Sequence, residues 1–130
     1  PEMAGWLKDV TPLDASSLVP KLWNTFTRVT LVSKVVPERV TLDFDLVFYS
    51  ENETAGMDGL VVAEVKHDAN RDSSQFLRQM RDQKILPHSF SKYTIGVALL
   101  YEGVKKNAVK SKIHWLEKLI QRTAGNERFL

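Results

Sequence analysis

Residues 39–49, Arg-Val-Thr-Leu-Asp-Phe-Asp-Leu-Val-Phe-Tyr, alternate apolar and polar side chains more cleanly than any other stretch of the chain. Successive side chains on a strand point to opposite faces. Val40, Leu42, Phe44, Leu46 and Phe48 therefore share one face, and Arg39, Thr41, Asp43 and Asp45 share the other. Residues 23–33 alternate too, with Val29 and Leu31 on one side and Phe26, Arg28, Thr30 and Val32 on the other. The segment 34–38, with Pro37, is a turn, so the two runs read as a hairpin. Residues 50–58 are polar, contain Gly56 and read as a loop. A third strand, Gly59–His67, then sets Glu64 and Lys66 on one face and Val61, Ala63 and Val65 on the other. Neighbouring strands lie ~4.8 Å apart. If these three pair in sequence order, Arg28, Arg39, Asp43, Asp45, Glu64 and Lys66 form one charged surface.

The remainder of the chain reads as cover for that sheet. Residues 1–20 form a lead-in in which Trp6, Leu7 and Val10 make a short apolar stripe before Pro12 and Pro20 forbid a long helix. Ser73 or Ser74 caps a helix that runs to about Lys84, with Phe76, Leu77 and Met80 on one side. The apolar run Thr94–Tyr101 fits a buried strand or a helix equally on periodicity. Ser111–Arg122 is an amphipathic helix with Ile113, Leu116, Leu119 and Ile120 facing inward, which Gly125 should end. The expected fold is α+β, an antiparallel sheet covered by helices, whose Val40/Leu42/Phe44 and Val61/Ala63/Val65 face packs on them.

Totals narrow the classes. A chain of 130 residues, 43% apolar and 26% charged, builds one ordinary domain with a packed core. The absence of cysteine excludes disulfides and thiolate metal sites and points to a reducing compartment. No apolar run reaches the ~20 residues of a membrane span, so no membrane segment is expected; with no cysteine and no visible signal peptide, a cytoplasmic location is expected. A net charge of +2 is too small to argue for a polyanion by itself, so the placement of charge matters more than its sum.

A solvated sheet face explains polar alternation, but the residue types on this one are specialised. Arginine forks and lysine point charges suit phosphate oxygens, and carboxylates suit a hard divalent cation that bridges phosphates. Together these are the parts of phosphoryl transfer, in which positioning and charge neutralisation dominate. Asp43 followed by Glu64-x-Lys66 also fits a metal-dependent nuclease, with two carboxylates holding Mg²⁺ and the lysine assisting water. His67, His88 and His114 have no metal-ligand spacing, and no Gly-rich phosphate loop or nucleophile elbow is present. The lysines at 105, 106, 110 and 112 read as solvated surface or as a guide for a polyanion.

Four stretches, Phe26-Thr27-Arg28, Arg39-Val40-Thr41-Leu42-Asp43, Glu64-Val65-Lys66 and Ser89-Phe90-Ser91-Lys92-Tyr93, together resemble the VTC domain. This is the polyphosphate polymerase module of the triphosphate tunnel metalloenzyme superfamily. The resemblance spans roughly residues 20–122 and matches the C-terminal half of that domain. It implies an antiparallel β-tunnel with a basic lumen that grips a phosphate chain, and a divalent metal, Mn²⁺ or Mg²⁺, at a glutamate. Arg28 and Arg39 would be lumen arginines, and Lys66 would point into the lumen beside them. All three would contact phosphate and act in catalysis, Lys92 would contact phosphate at the start of a helix, and Glu64 would hold the metal. By the same resemblance, Lys92–Tyr101 is a helix. Some eukaryotic members carry a tyrosine at the position of Phe26 and a lysine at that of Ser89.

The implied reaction transfers the γ-phosphoryl group of ATP to the end of a growing polyphosphate. Alternatives are a tunnel-type hydrolase of triphosphate or nucleoside triphosphate, a non-catalytic polyphosphate-binding domain and, more distantly, the nuclease with Asp43, Glu64 and Lys66. The partners implied are ATP and polyphosphate, with no nucleic acid. Three long strands do not close a tunnel, since small barrels need about eight. The chain is therefore expected to be a single domain forming half a tunnel, a truncated piece or proteolytic remnant of a larger polymerase. Alone it should be inactive unless the N-terminal half or a second chain completes the sheet.

Overall fold

The computed structural model describes residues 2–67 and 74–126. Helix α1 (Glu2–Val10) and a 3₁₀ turn at Ala15–Ser17 lead into strands β1 (Trp23–Val32) and β2 (Glu38–Tyr49). Strands β3 (Thr54–Gly56) and β4 (Val62–His67) and helices α2 (Gln75–Asp82), α3 (Lys92–Leu100) and α4 (Lys110–Asn126) follow. The four strands make one antiparallel sheet with β2 at its centre. β1 pairs along one edge of β2, and β3 and β4 pair with opposite ends of its other edge. The sheet is open, not a closed barrel, and the fold is α+β.

The hairpin forms where alternation placed it, but β2 is not one uninterrupted strand. Thr27 lies opposite Phe44 and Thr25 opposite Val47, so two residues of β2, Asp45 and Leu46, face the single residue Phe26. Asp45 takes a left-handed backbone conformation, φ 54°. This is a β-bulge, and it moves everything beyond it to the other face. Arg39, Thr41 and Asp43 thus share their face with Leu46 and Phe48, whereas Val40, Leu42 and Phe44 share theirs with Val47.

The core follows this exchange. Leu46 and Phe48, both fully buried, cluster with Met57, Leu60, Ile95 from α3, Leu100 and Leu116 from α4. Helix packing therefore uses the face that also carries the charges, further along the strand. The expectation that Val40/Leu42/Phe44 and Val61/Ala63/Val65 pack on the helices is overturned. Val40 is buried outside this cluster, Val29 and Leu31 are 43% and 50% exposed, and Val61 precedes β4 and is exposed.

Local chemistry explains the other boundaries. The run 50–58 is not all loop, because Thr54–Gly56 adds β3 to β2 and Met57 enters the core. Gly59, with φ 74°, makes the turn that delays the next strand to Val62. Ser74 caps α2 by accepting from the Leu77 amide at 3.0 Å; Ser73 lies outside the described residues. Ser91 caps α3 by accepting from the Thr94 amide at 3.2 Å, so the apolar run is a helix. Gly96 lets α3 approach the sheet, since a Cβ there would stand 2.6 Å from Phe48. Gly125 does not stop α4, which continues to Asn126. Among the described residues no helix is long and apolar enough to cross a membrane.

Candidate functional site

Three strands aim polar side chains at one concavity. From β1 come Arg28 and Thr30, from β2 Arg39 and Thr41, and from β4 Glu64 and Lys66. The register explains the convergence: Thr41 lies opposite both Thr30 and Glu64, and Arg39 opposite Lys66. The depression holds about 170 Å³. That is less than the ~300–1,000 Å³ of ordinary small-molecule pockets, and its lining is polar. Three cations and one carboxylate make it an anion-attracting surface. Glu64 and Lys66 pair at 3.3 Å with both side chains more than half exposed, a contact that contributes little to stability.

Behind this surface lies a tighter cluster. Asp43, opposite Arg28 in the ladder, is only 2% exposed. Its Oδ1 accepts from Arg28 Nε at 2.6 Å and its Oδ2 from Arg28 Nη2 at 2.8 Å. Lys92 Nζ, brought across by α3, donates to the same Oδ2. The Phe26 ring floors both cations, with Arg28 Cζ 4.9 Å and Lys92 Nζ 4.4 Å from its centroid. The Arg28 hydrogen bond, helped by Lys92 and opposed by burial, holds the Asp43 carboxyl at about 2. The same contact raises the Arg28 guanidinium above its ordinary value.

The residues anticipated from sequence divide accordingly. Arg28, Arg39, Glu64 and Lys66 meet in the depression; Lys92 does not line it but holds Asp43, the carboxylate behind it that also holds Arg28. Asp45 does not, because the bulge turns it to solvent. Thr30 and Thr41 belong to the lining, and the alternation of their strands already put them on this face. The sequence places Asp43 on one surface with Arg28; their direct pairing, which facing positions in a hairpin signal, and the link to Lys92 come only with the structure. With both Asp43 oxygens engaged, Glu64 is the carboxylate left to the depression, and the described residues contain no group of three or more potential metal ligands. Lys112 donates to Ser89 Oγ at 2.7 Å and to its carbonyl, so one lysine of the basic run comes close to the α3 N-terminus.

The sequence model of the VTC domain family matches residues 7–101, well over half of the chain. The chain belongs to the VTC domain family. That family is associated with polyphosphate polymerases, and the matched region of this VTC domain carries the entire concavity together with Asp43, Lys92 and Phe26. Comparison with curated proteins and with solved structures gives no significant match.

Proposed function

We propose that this VTC domain is one wall of a polyphosphate polymerase tunnel. The observation that carries the reading is the convergence of Arg28, Arg39 and Lys66 with the carboxylate of Glu64 around one depression of the sheet face. Arginine forks pair with phosphate oxygens bidentately and lysine adds a point charge. Three cations spaced over adjacent strands suit a row of phosphates better than a lone anion. The reaction class is transfer of the ATP γ-phosphoryl group to the terminal oxygen of a polyphosphate. A bond forms from that oxygen to the γ-phosphorus, the bond to the β,γ-bridging oxygen breaks, and ADP leaves. Charge neutralisation and alignment by the wall's cations supply what such a transition state needs.

Glu64 is the residue that would hold a divalent metal, Mn²⁺ or Mg²⁺. One exposed carboxylate is a poor site alone, but Mg²⁺ commonly takes one or two carboxylates and completes its shell with substrate phosphates and water. When bound, the ion would neutralise phosphate charge as the transition state develops. An open sheet of this size leaves the opposite wall to further strands, from elsewhere in the polypeptide or from a second chain.

Calorimetric titration with tripolyphosphate, with and without Mn²⁺, tests the reading. Tight, salt-sensitive binding that Mn²⁺ strengthens is expected, and E64Q should remove the metal's effect while sparing binding. In a protein with a complete tunnel, E64Q should abolish metal-dependent transfer. A wild-type chain that ignores tripolyphosphate sinks the proposal.

A further inference from the structure

We infer that Asp43 is a positioning residue for phosphate recognition, orienting Arg28 and Lys92 from behind the site. The inference deepens the phosphate-binding reading above and rests on it. Asp43 does not line the depression; Arg28 does. The carboxylate is buried, with its side chain 3% exposed against 42% for Arg28 and 22% for Lys92, so one buried anchor holds both cations, and Arg28 is the one that extends into the depression.

The hydrogen-bond inventory gives the anchor its meaning. A guanidinium carries five N–H groups in a rigid fork. Asp43 occupies the side-on edge, Nε and one hydrogen of Nη2. The end-on edge, formed by Nη1 and the second hydrogen of Nη2, remains for a phosphate and is the pair of parallel donors that bidentate recognition uses. The carboxylate thus fixes the fork's plane and leaves its outer edge free. Lys92 is held at a second point, one donor on Asp43 and its ammonium over Phe26. The three side chains come from β1, β2 and α3. One carboxylate therefore sets the spacing between two cations on different elements, and the ordering entropy of two long side chains is already spent before the ligand arrives.

The alternative is that Asp43 only offsets positive charge. The two accounts differ in sign. Removing a negative charge beside an anion site should tighten anion binding by simple electrostatics, whereas loss of a positioning anchor should weaken it.

The test is tripolyphosphate titration of the full chain as wild type, D43N and D43E. The expected result is weaker binding in both variants, by ~10-fold or more, the scale on which outer partners of metal-holding side chains act. D43E matters because it keeps the charge and moves it. Affinity that rises in D43N while D43E stays at the wild-type value overturns the role of Asp43 and leaves the phosphate reading standing. A wild-type chain that does not bind overturns the phosphate reading itself. If the variants do not fold, the wild type still decides through its Arg28 side-chain N–H resonances. Tripolyphosphate should shift the Nη signals and leave Nε hydrogen-bonded; a shift of Nε as large as that of Nη overturns the inference.

Discussion

Arg28 and Asp43 face one another across the β1–β2 ladder and meet side-on, Nε to Oδ1 at 2.6 Å and Nη2 to Oδ2 at 2.8 Å. The contact has a measurable pH signature. Folding lowers the Asp43 carboxyl from an ordinary 3.8 to about 2. A depressed carboxyl contributes stability that is fully present above its unfolded value and is lost as pH falls through the folded one. The wild type should therefore lose on the order of 1 kcal/mol relative to D43N between about pH 4 and pH 2, allowing for solvent screening at the open side of the cluster. Urea midpoints measured across that range check this; parallel curves for the two proteins would contradict it.

Leu46 and Leu31 should respond to truncation by very different amounts, although both lie on alternating strands. Leu46 is fully buried in the core beneath α3 and α4, whereas Leu31 is 50% exposed. Leu46→Ala should cost about 2–5 kcal/mol through lost burial and the cavity left behind. Leu31→Ala should stay within about 0.5 kcal/mol. Chemical denaturation of the two variants compares them directly.

Gly96→Ala is expected to destabilise the protein even though alanine is the better helix former. The propensity gain is about 1 kcal/mol. The new methyl would stand 2.6 Å from the buried Phe48 ring and 3.0 Å from Leu22. Overpacking of that kind costs about 1–3 kcal/mol, so a net loss of ~1 kcal/mol is expected. A higher melting temperature for the variant would mean that α3 has room to move away.

At Asp45 the backbone matters more than the charge. Its φ of 54° is strained for most side chains, and least for glycine, asparagine and aspartate. Asp45→Gly should leave stability unchanged or raise it slightly, and Asp45→Val should lower it by ~1–2 kcal/mol. Equal urea midpoints for the two variants would show that the bulge does not need its left-handed residue.

Much of the site was legible because period-two alternation is a local signal. It placed Arg28, Arg39, Glu64 and Lys66 on one face before any pairing was known, and the ladder then brought them together. The core was misassigned for an equally local reason. Leu46 and Phe48 continue the apolar alternation of Val40, Leu42 and Phe44 without a break in sequence, but Asp45 absorbs one step of the pleat and reverses the sides. Aspartate tolerates that conformation without advertising it as glycine would. β3 was hidden because three residues are too few for alternation to register. The start of α3 at Lys92 came from family resemblance, since periodicity could not separate helix from strand there. The grip of Lys92 on Asp43 joins residues far apart in sequence, and no window on the chain contains both.

The bulge in β2 also bears on how such a protein can change over generations. One inserted residue makes a single strand legible in two frames, upstream as a wall of charge and downstream as a floor of hydrocarbon. A substitution on either side of the bulge leaves the pleat on the other side in register, so ligand chemistry and packing are set by different positions. Gain or loss of a residue between them disrupts both at once. At this point the fold depends more strictly on the number of residues than on which residues they are.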